Sequence, residues 1–263
     1  IAYCPERVLP GQVVHELIEN DRIIGGLTDR CSKLAAQFYN IFVKGDCILT
    51  NARTAEMSKL TENASRDVGI AFANELSMIC DKLDINVWEL IELANRHPRV
   101  DILQPGPGVG GHCIAVDPWF IVSNATEEAK LISTARSVNN HKPEWVLKKI
   151  EKVIDQVLKS EKGKTALDLC IACYGLSFKP NIDDLRESPS MFIANNIADT
   201  HSGSVLLVEP NIQELPENFE KKLLTDFEFA LANADIHILL VDHDEFKNHR
   251  PKRGHIIDTR GIW

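Results

Sequence analysis

The chain has 263 residues, enough for one large domain or two ordinary ones, and 44 % of them are apolar and 25 % charged, as in globular proteins with a buried core. Its net charge of −9 argues against a surface that binds nucleic acid or an anionic membrane, although a local basic pocket is compatible with it. No apolar run approaches the length of a membrane span, and the first residues, IAYCPERVLPG, lack the pattern of a signal peptide.

The seven cysteines are an odd number without the spacing of a disulfide framework, which predicts a reducing, cytoplasmic location. Cys170 and Cys173 lie in LDLCIACYGL, a pattern typical of a buried strand. Side chains three apart on a strand point to opposite faces, so these thiols are not expected to share a metal. The histidines have no ligand spacing, and VDHDEF around His243 is interpreted as a solvated loop after a strand. We predict no metal site.

Residues 1–50 alternate short strand-like runs with one helix. The runs IAYC, RIIGGL and CILT have the composition of strands, and CSKLAAQFYNIFV has the pattern of a helix. This order predicts the tail of an α/β domain whose earlier strands are missing.

Residues 52–160 are predicted to be helical. A helix from Thr54 to Leu83, capped by Asn51 or Thr54 itself, would be about 45 Å long, a length that suits a connecting or dimer-forming helix. A second helix is predicted from Val87 to Asn95, and two more near 127–140 and 143–160 after a glycine-rich loop. Apolar residues at spacings of three and four form the stripe on the long helix: Met57, Leu60, Ala64, Val68, Phe72, Leu76, Ile79 and Leu83.

The last region, residues 165–263, returns to strand–helix alternation. LDLCIACYGL, SVLLVEP, DIHILLVDH and HIIDTRG are predicted strands, and a helix near 226–233 precedes the third of them. Another helix begins in ESPSMFIANNIAD, with Ser188 as its cap and Pro189 in its first turn. The alternation predicts a doubly wound parallel sheet, in which ligands bind at the carboxyl ends of the strands.

The stretch GPGVGGHCIAVDPWF, residues 106–120, surrounds Cys113 with glycines and prolines. Glycine permits positive φ and close backbone approach, and proline stiffens the path, so the loop is suited to present a thiol to a ligand. A surface turn around an inert, half-buried cysteine is the alternative. Asp117 follows four residues later and is either a carboxylate that orients a water or a lysine, or a turn-forming residue before Pro118.

Two groups of basic residues are further candidates. Lys59, Asn63 and Arg66 form a polar line on the long helix, suited to hold phosphate, stabilise an oxyanion or relay a proton, unless the line is merely a solvated face. Lys179 and Arg186 occupy a loop between strand and helix, where phosphate binds in parallel sheets. The sequence carries no dinucleotide fingerprint of the usual kind, because the GxGxxG spacing at residues 106–111, GPGVGG, and the overlapping GVGGHC do not follow a strand.

Together these motifs resemble the UDP-glucose/GDP-mannose dehydrogenase family. The resemblance rests on YCPERVLPG, AEMSKLTENASRDVGIAFANELSMIC, NRHPRVDILQPGPGVGGHCIAVDPWFIV and GLSFKPNIDDLRESP. It implies three parts: residues 1–51 as the tail of an N-terminal NAD-binding Rossmann domain, 52–160 as a central helical dimerisation and catalytic domain, and 161–263 as a UDP-binding domain. Most of the NAD-binding domain is then absent, and this chain alone is expected to be inactive.

The resemblance also implies a reaction: a sugar primary alcohol is oxidised to a carboxylate with two NAD⁺ through a cysteine thiohemiacetal and thioester. Cys113 is then the nucleophile, and Lys59 is the acid/base or oxyanion partner. Asn63 helps to hold the oxygen, Asp117 positions water or the lysine, and Glu6 is linked to hydrolysis. The implied substrate contacts, some contributed by a neighbouring subunit of a homodimer, are Arg7, Val8, Lys59, Asn63, Arg66, His97, Arg99, Gly110, Phe178, Lys179 and Arg260. Arg186 matches a contact to the cofactor.

One departure bears on the substrate. Pro10 stands where the UDP-glucose branch has a second glutamate, and PERVLPG fits the branch that oxidises UDP-N-acetyl-D-mannosamine for bacterial surface polysaccharides. Two alternatives stay open: a non-catalytic dimeric module that binds UDP-sugars, and a dehydrogenase for another UDP-hexose or hexosamine. A cysteine acyltransferase or hydrolase would need a histidine base near the thiol, and the side chain of the adjacent His112 is expected to diverge from it.

Overall fold

The structure is a computed structural model that describes residues 1–8, 12–161, 163–215 and 223–263. The site prediction at Pro10 therefore lies outside the described residues. Among the helices described, none combines the length and the apolar character needed to cross a membrane.

The first 51 residues form a three-stranded sheet in the order β1-β2-β3. β2 and β3 are parallel and joined by α2, whereas β1 is antiparallel to β2. The predicted strands and α2 are present, but α1 was not predicted. It has no side-chain cap and buries no residue, so its sequence carries little helical signal. The elements are β1 (Ala2–Tyr3), α1 (Val13–Glu19), β2 (Arg22–Gly26), α2 (Asp29–Tyr39) and β3 (Cys47–Asn51).

Four helices follow, and the long predicted helix is confirmed. Of the two candidate caps Asn51 is the one used, because its side-chain oxygen accepts the N–H of Thr54 at 2.9 Å. A short helix that begins at Asp117 and Pro118 was not predicted; proline in the first turn loses no helical hydrogen bond there. The helices are α3 (Ala52–Leu83), α4 (Val87–Ala94), α5 (Asp117–Asn124) and α6 (Lys130–Ser160).

The predicted break between two helices at Pro143 is wrong, because α6 runs through it without interruption. Proline lacks the N–H that a helix would direct at the Asn139 carbonyl, so local chemistry favours a break. The packing of α6 against other elements outweighs this local preference for a break. The first half of α6 buries Ala135 and Arg136 against α3, and the second half buries Val146 and Ile150 in the core of the C-terminal sheet.

The contact between α3 and α6 contains a buried polar network. Asp67 Oδ1 accepts from Arg136 Nη1 at 2.6 Å and from Asn139 Nδ2 at 2.8 Å. Asn139 in turn accepts from Asn74 at 2.9 Å, and the Asn74 oxygen accepts the backbone N–H of Gly106 at 2.9 Å. The ion pair therefore continues, bond by bond, from the helix interface to the start of the glycine loop.

The C-terminal region is a five-stranded parallel sheet in the order β6-β5-β4-β7-β8, which confirms the predicted doubly wound architecture. α6 and α7 cover one face, and α8 covers the other. Cys173 belongs to the first core and Cys170 contacts the second, as expected for side chains three apart. The elements are β4 (Cys170–Tyr174), α7 (Pro189–Thr200), β5 (Ser204–Val208), β6 (Leu223–Leu224), α8 (Phe227–Asn233), β7 (Ile236–Leu239) and β8 (His255–Asp258).

Two details of this sheet bear on the sequence predictions. Ser188 caps α7 by accepting the N–H of Met191 at 3.2 Å, as predicted. The edge strand β6 was not predicted, since two residues are too few to show an alternating pattern.

We expect Arg136→Ala to reduce the free energy of unfolding by about 3–5 kcal/mol, because the variant leaves the Asp67 carboxylate buried without its cation. Urea denaturation followed by circular dichroism measures the loss. Lys148→Ala on the exposed side of α6 is the control and should change stability by less than about 0.5 kcal/mol. A loss below about 1 kcal/mol in Arg136→Ala would show that the network does not hold the helices together.

Candidate active site

The glycine loop crosses the gap between the helices and the carboxyl edge of the parallel sheet. Arg260, just after β8, donates to the Pro105 carbonyl at 3.4 Å and to Asp242, just after β7, at 2.6 Å. A Cβ on Gly106 would lie 2.5 Å from the Arg260 guanidinium, so a side chain there would displace the arginine. The carboxyl edge of the sheet and the glycine loop thus both contact the half-buried guanidinium of Arg260.

Further along, the loop packs on the connection between β4 and α7, residues 175–188, here called the β4–α7 loop. Gly111 has a φ of 82°, and a Cβ there would lie 3.0 Å from the ring of Phe178. A Cβ on Gly110 would lie 2.4 Å from the Glu187 carbonyl oxygen. Only glycine allows the two loops to approach so closely, and Cys113 follows this contact two residues after Gly111.

Cys113 is the one cysteine of the seven whose side chain is exposed. Its carbonyl accepts the N–H groups of Val116 at 3.1 Å and Asp117 at 2.8 Å, which forms the turn that begins α5. The fold therefore leaves this thiol accessible at the end of the glycine loop, rather than burying it as a small apolar side chain.

The polar line on α3 reaches the same turn. Asn63 Nδ2 donates to Asp117 Oδ2 at 2.5 Å, so the side chain that begins α5 is joined to the middle of α3. Lys59 lies one helical turn before Asn63 and is half-buried, whereas Arg66 on the following turn is exposed. The interpretation of this line as a merely solvated face is wrong for Asn63.

A cleft of about 1340 Å³ lies along this part of α3. Lys59, Asp117 and Glu6 line it, but Cys113 does not. Glu6 accepts the backbone N–H of Arg7 at 2.7 Å and is 3.5 Å from the guanidinium of Arg22. Three of the predicted catalytic side chains therefore share one cleft, and the thiol lies on the adjoining loop.

Arg7 and Val8, in the segment after β1, have different surroundings. Arg7 forms an ion pair with Glu62 of α3 at 2.9 Å, which ties the segment to the helix. Val8 is half-buried. Both residues follow Glu6 closely in the chain, but neither of them lines the cleft.

Among the described residues that line the cleft, Lys59 is the one predicted substrate contact, and two of the ten that do not line it lie after α4. His97 and Arg99 are exposed in the connection after α4, where His97 Nδ1 accepts the N–H of Arg99 at 3.3 Å. Neither residue lines the cleft. Within a single copy of the chain, the structure does not bring them to the other candidate residues.

The remaining basic candidates are on the β4–α7 loop. Lys179 is exposed, with its ammonium group available to a ligand at the sheet edge. Arg186 is also exposed, and its guanidinium donates to both oxygens of Asp184 at 2.8 and 2.6 Å. These hydrogen bonds lower the pKa of Asp184 to about 2. The carboxylate therefore holds Arg186 in place across the neutral pH range.

Comparison with known proteins matches almost the whole chain to three related domain models. Residues 1–43 match the NAD binding domain, residues 53–141 the central domain and residues 172–263 the UDP binding domain of one family. The chain belongs to the UDP-glucose/GDP-mannose dehydrogenase family. The glycine loop with its exposed thiol is thus the central-domain loop of a family member, placed against the UDP-binding part.

Curated relatives of this dehydrogenase-family chain include UDP-N-acetyl-D-mannosamine dehydrogenase of Salmonella typhimurium, 59 % identical over all of the chain and 63 % of the relative. NDP-N-acetyl-D-galactosaminuronic acid dehydrogenase of Ralstonia solanacearum is 58 % identical over all of the chain and 61 % of the relative. The chain thus spans less than two thirds of these proteins. The solved UDP-D-ManNAc dehydrogenase of Pyrococcus horikoshii shares 38 % identity and a TM-score of 0.87, over all of the chain and 61 % of that structure.

Two residues at the carboxyl edge of the parallel sheet, His243 and Glu209, were not predicted from the sequence as parts of the site. The prediction of a solvated loop around His243 is wrong: its side chain and that of Glu209 are both 0 % exposed and lie 3.0 Å apart. Each follows a strand of the parallel sheet, Glu209 after β5 and His243 after β7, so their backbones meet at the carboxyl edge. The available signal was a polar residue directly after each of two strands of the same sheet.

Proposed function

We propose that the protein containing this chain oxidises UDP-N-acetyl-D-mannosamine to UDP-N-acetyl-D-mannosaminuronate with two molecules of NAD⁺. The observation that carries the proposal is the placement of the exposed Cys113 on a glycine loop packed against Phe178, with the Asn63–Asp117 hydrogen bond at its other end. The names of the Salmonella and Pyrococcus relatives support this substrate.

The thiol has a defined task in such a reaction. An aldehyde loses a second hydride readily only after a nucleophile has added to it. The Cys113 thiolate adds to give a thiohemiacetal, whose oxidation leaves a thioester that water cleaves to the carboxylate and free thiol. Lys59 and Asn63 hold the substrate oxygen, Lys59 exchanges its proton, Asp117 orients water or the lysine, and Glu6 assists hydrolysis.

NAD⁺ supplies the hydride acceptor for both oxidations. In this chain the group that fits a cofactor phosphate is Arg186, whose guanidinium is exposed and oriented by Asp184 on the β4–α7 loop. The match of residues 1–43 to an NAD binding domain supports the cofactor assignment. No GxGxxG follows a strand in this sequence, and Arg186 is the cofactor contact that we assign to this chain.

The UDP-sugar is assigned to the contacts between the loops and the cleft. Lys179 and Arg260 supply charge for the diphosphate, and Phe178 supplies an aromatic surface for the nucleotide. Arg7, Val8, Arg66 and Gly110 are assigned to the sugar end together with the catalytic groups. In this assignment residues 1–51, 52–160 and 161–263 serve as the cofactor-domain tail, the dimerisation and catalytic domain and the UDP-binding domain.

A homodimer through the central helices completes the proposal. The face of α3 turned away from α6 exposes large apolar side chains, and an apolar stripe on a long helix is stabilised by burial against a partner. In a dimer His97 and Arg99 would reach the cleft of the second copy. We assign the protein to the cytoplasm and to the synthesis of surface-polysaccharide precursors. The exposed apolar residues of α3 are Met57, Phe72, Ile79 and Leu83.

Two alternatives each rest on an observation. The absence of a GxGxxG that follows a strand favours a dimeric UDP-sugar-binding module without catalysis for this chain by itself. The Ralstonia relative, nearly as similar as the Salmonella one, favours a different N-acetylhexosamine as the substrate. Turnover of both UDP-sugars by the protein joined to a complete NAD-binding domain separates the three possibilities.

We expect the chain to bind UDP without NAD⁺, and Lys179→Ala to weaken this binding by about 2 kcal/mol, roughly thirtyfold, because one charge-assisted phosphate contact is lost. Isothermal titration calorimetry measures the affinity. Lys252→Ala, an exposed lysine near the amino end of β8, is the matched control and should bind as the parent does. Equal affinity for Lys179→Ala and the parent would remove Lys179 from the site.

The chain should sediment as a dimer at micromolar concentration, and Phe72→Glu should yield monomers, because it places a charge in the apolar stripe. Phe38→Glu changes an equally exposed phenylalanine on α2 and should remain dimeric. Analytical ultracentrifugation distinguishes the states. A monomeric parent chain would contradict the proposed dimer.

In a protein that joins this chain to a complete NAD-binding domain, Cys113→Ser should form one NADH per sugar in a single turnover rather than two. A serine hydroxyl is a far weaker nucleophile at neutral pH, and its ester is cleaved more slowly, so the second half of the reaction fails first. Absorbance at the NADH band and mass spectrometry of residue 113 provide the readouts. Cys31→Ser should form two NADH, and the same result in Cys113→Ser would exclude the thiol as nucleophile.

A further inference from the structure

We propose that His243 and Glu209 are positioning residues that fix the backbone of the β4–α7 loop, so that Phe178 and Lys179 are held ready for UDP. The inference rests on the proposed function for the identity of the ligand. It concerns side chains that themselves touch no ligand, since both are fully buried beneath the loop.

Glu209 holds the beginning of the loop. Its Oε2 atom accepts the backbone N–H groups of Leu176 at 2.7 Å and Ser177 at 3.1 Å, the residues immediately before Phe178. Its Oε1 atom accepts from the backbone and side chain of Asn211, each at 3.1 Å. Although burial raises the pKa of the Glu209 carboxyl, the hydrogen bonds from His243, Leu176 and Asn211 outweigh it and lower the pKa to about 2. The group is therefore a carboxylate, acceptor-only, at neutral pH.

His243 holds the other end of the same segment. Its Nδ1 atom is 3.0 Å from the backbone nitrogen of Asn181 and 3.1 Å from Nδ2 of Asn211, and both nitrogens can only donate, so Nδ1 is an acceptor. In the neutral ring the proton is then on Nε2, which donates to Glu209 Oε2 at 3.0 Å. The imidazole thus joins the carboxylate under Leu176 and Ser177 to the backbone of Asn181.

Between these two anchor points lies the segment that carries Phe178 and Lys179. Ser177 Oγ donates to the carbonyl of Lys179 at 2.8 Å, which closes the turn from inside. Asn181 has a φ of 61° and exchanges two hydrogen bonds with Asp244, at 2.9 and 3.0 Å. Asparagine adopts a positive φ more readily than most residues, and the bond from its backbone N–H to His243 fixes this conformation here.

The structural consequence is that the β4–α7 loop is already ordered before UDP binds. The side chains of Phe178 and Lys179 project from a short turn whose peptide groups are bonded to buried partners on both sides. Without the His243 bond, Asn181 would relax and the Lys179 ammonium would sample positions away from the phosphates. The affinity for UDP would then fall because binding would have to order the loop, which costs conformational entropy. No contact to the ligand would be removed.

Two near-isosteric substitutions separate the two functions of the imidazole. His243→Asn places an amide oxygen close to the position of Nδ1, so it keeps the acceptor for Asn181 and loses the donor to Glu209. His243→Gln places an amide nitrogen close to Nε2, so it keeps the donor to Glu209 and loses the acceptor. We expect His243→Gln, which removes the acceptor shared by Asn181 and Asn211, to weaken UDP binding by about tenfold, and His243→Asn to stay within about twofold.

The control is His237→Gln. His237 is also fully buried, on β7 of the same sheet, and its ring is bonded to the Tyr174 hydroxyl at 2.7 Å without contacting the loop. Its replacement should lower the thermal midpoint while leaving the UDP affinity unchanged. Any loss of UDP affinity in His243→Gln that merely reflects lower stability would appear in His237→Gln as well.

The experiment combines calorimetry with UDP and hydrogen–deuterium exchange of the 263-residue chain. The peptide around Asn181 should exchange faster in His243→Gln than in His243→Asn or the parent, with or without UDP. Unchanged exchange there, or equal loss of UDP affinity in both His243 variants, would overturn the positioning role. Failure of the parent to bind UDP would overturn the proposed function instead, since the exchange comparison stands without ligand.

Discussion

The buried ion pair between Asp67 and Arg136 is the interaction on which the rest of the structure depends. It lies between two helices of 32 and 31 residues and is satisfied by Asn139, which leads through Asn74 to the backbone of Gly106. A buried charge pair favours one register of the helices, because a shift would leave the Asp67 carboxylate and the Arg136 guanidinium buried without each other. That register also determines where the glycine loop begins.

From Gly106 onward the site is assembled by close backbone approach. Gly110 and Gly111 lie against Glu187 and Phe178 at distances that no side chain would allow, so the loop from the helices and the loop from the sheet form one surface. The sheet contributes its carboxyl edge, where the Glu209–His243 pair holds one loop and the Arg260–Asp242 pair holds the other. In the proposed function, chemistry and nucleotide recognition would therefore come from different parts of the chain that meet at this surface.

α3 has two faces with different tasks. Toward α6 it presents alanines and the polar pair Asp67 and Asn74, which allow close packing of the helices and fix their register. Toward solvent it presents the polar residues of the cleft and several large apolar side chains, among them Phe72. One helix thus connects the internal support of the site with the surface assigned to a second copy, so assembly and activity would depend on the same element.

The sequence by itself determined the elements whose signals are local. Asn51 and Ser188 cap the helices they were expected to cap, the strand pattern predicts the parallel sheet, and the motifs around Cys113 and Lys59 identify the family, because each signal lies within a few residues. Tertiary structure decided the rest. α6 continues through Pro143 because its two halves are buried against different partners. Asn63 contacts Asp117 only because α5 packs on α3. His243 is buried because Glu209 and the Asn181 backbone, which are distant in sequence, surround it at the sheet edge. Contacts between residues separated by 30 to 70 positions leave no periodic pattern in a single sequence, so only the folded chain shows them.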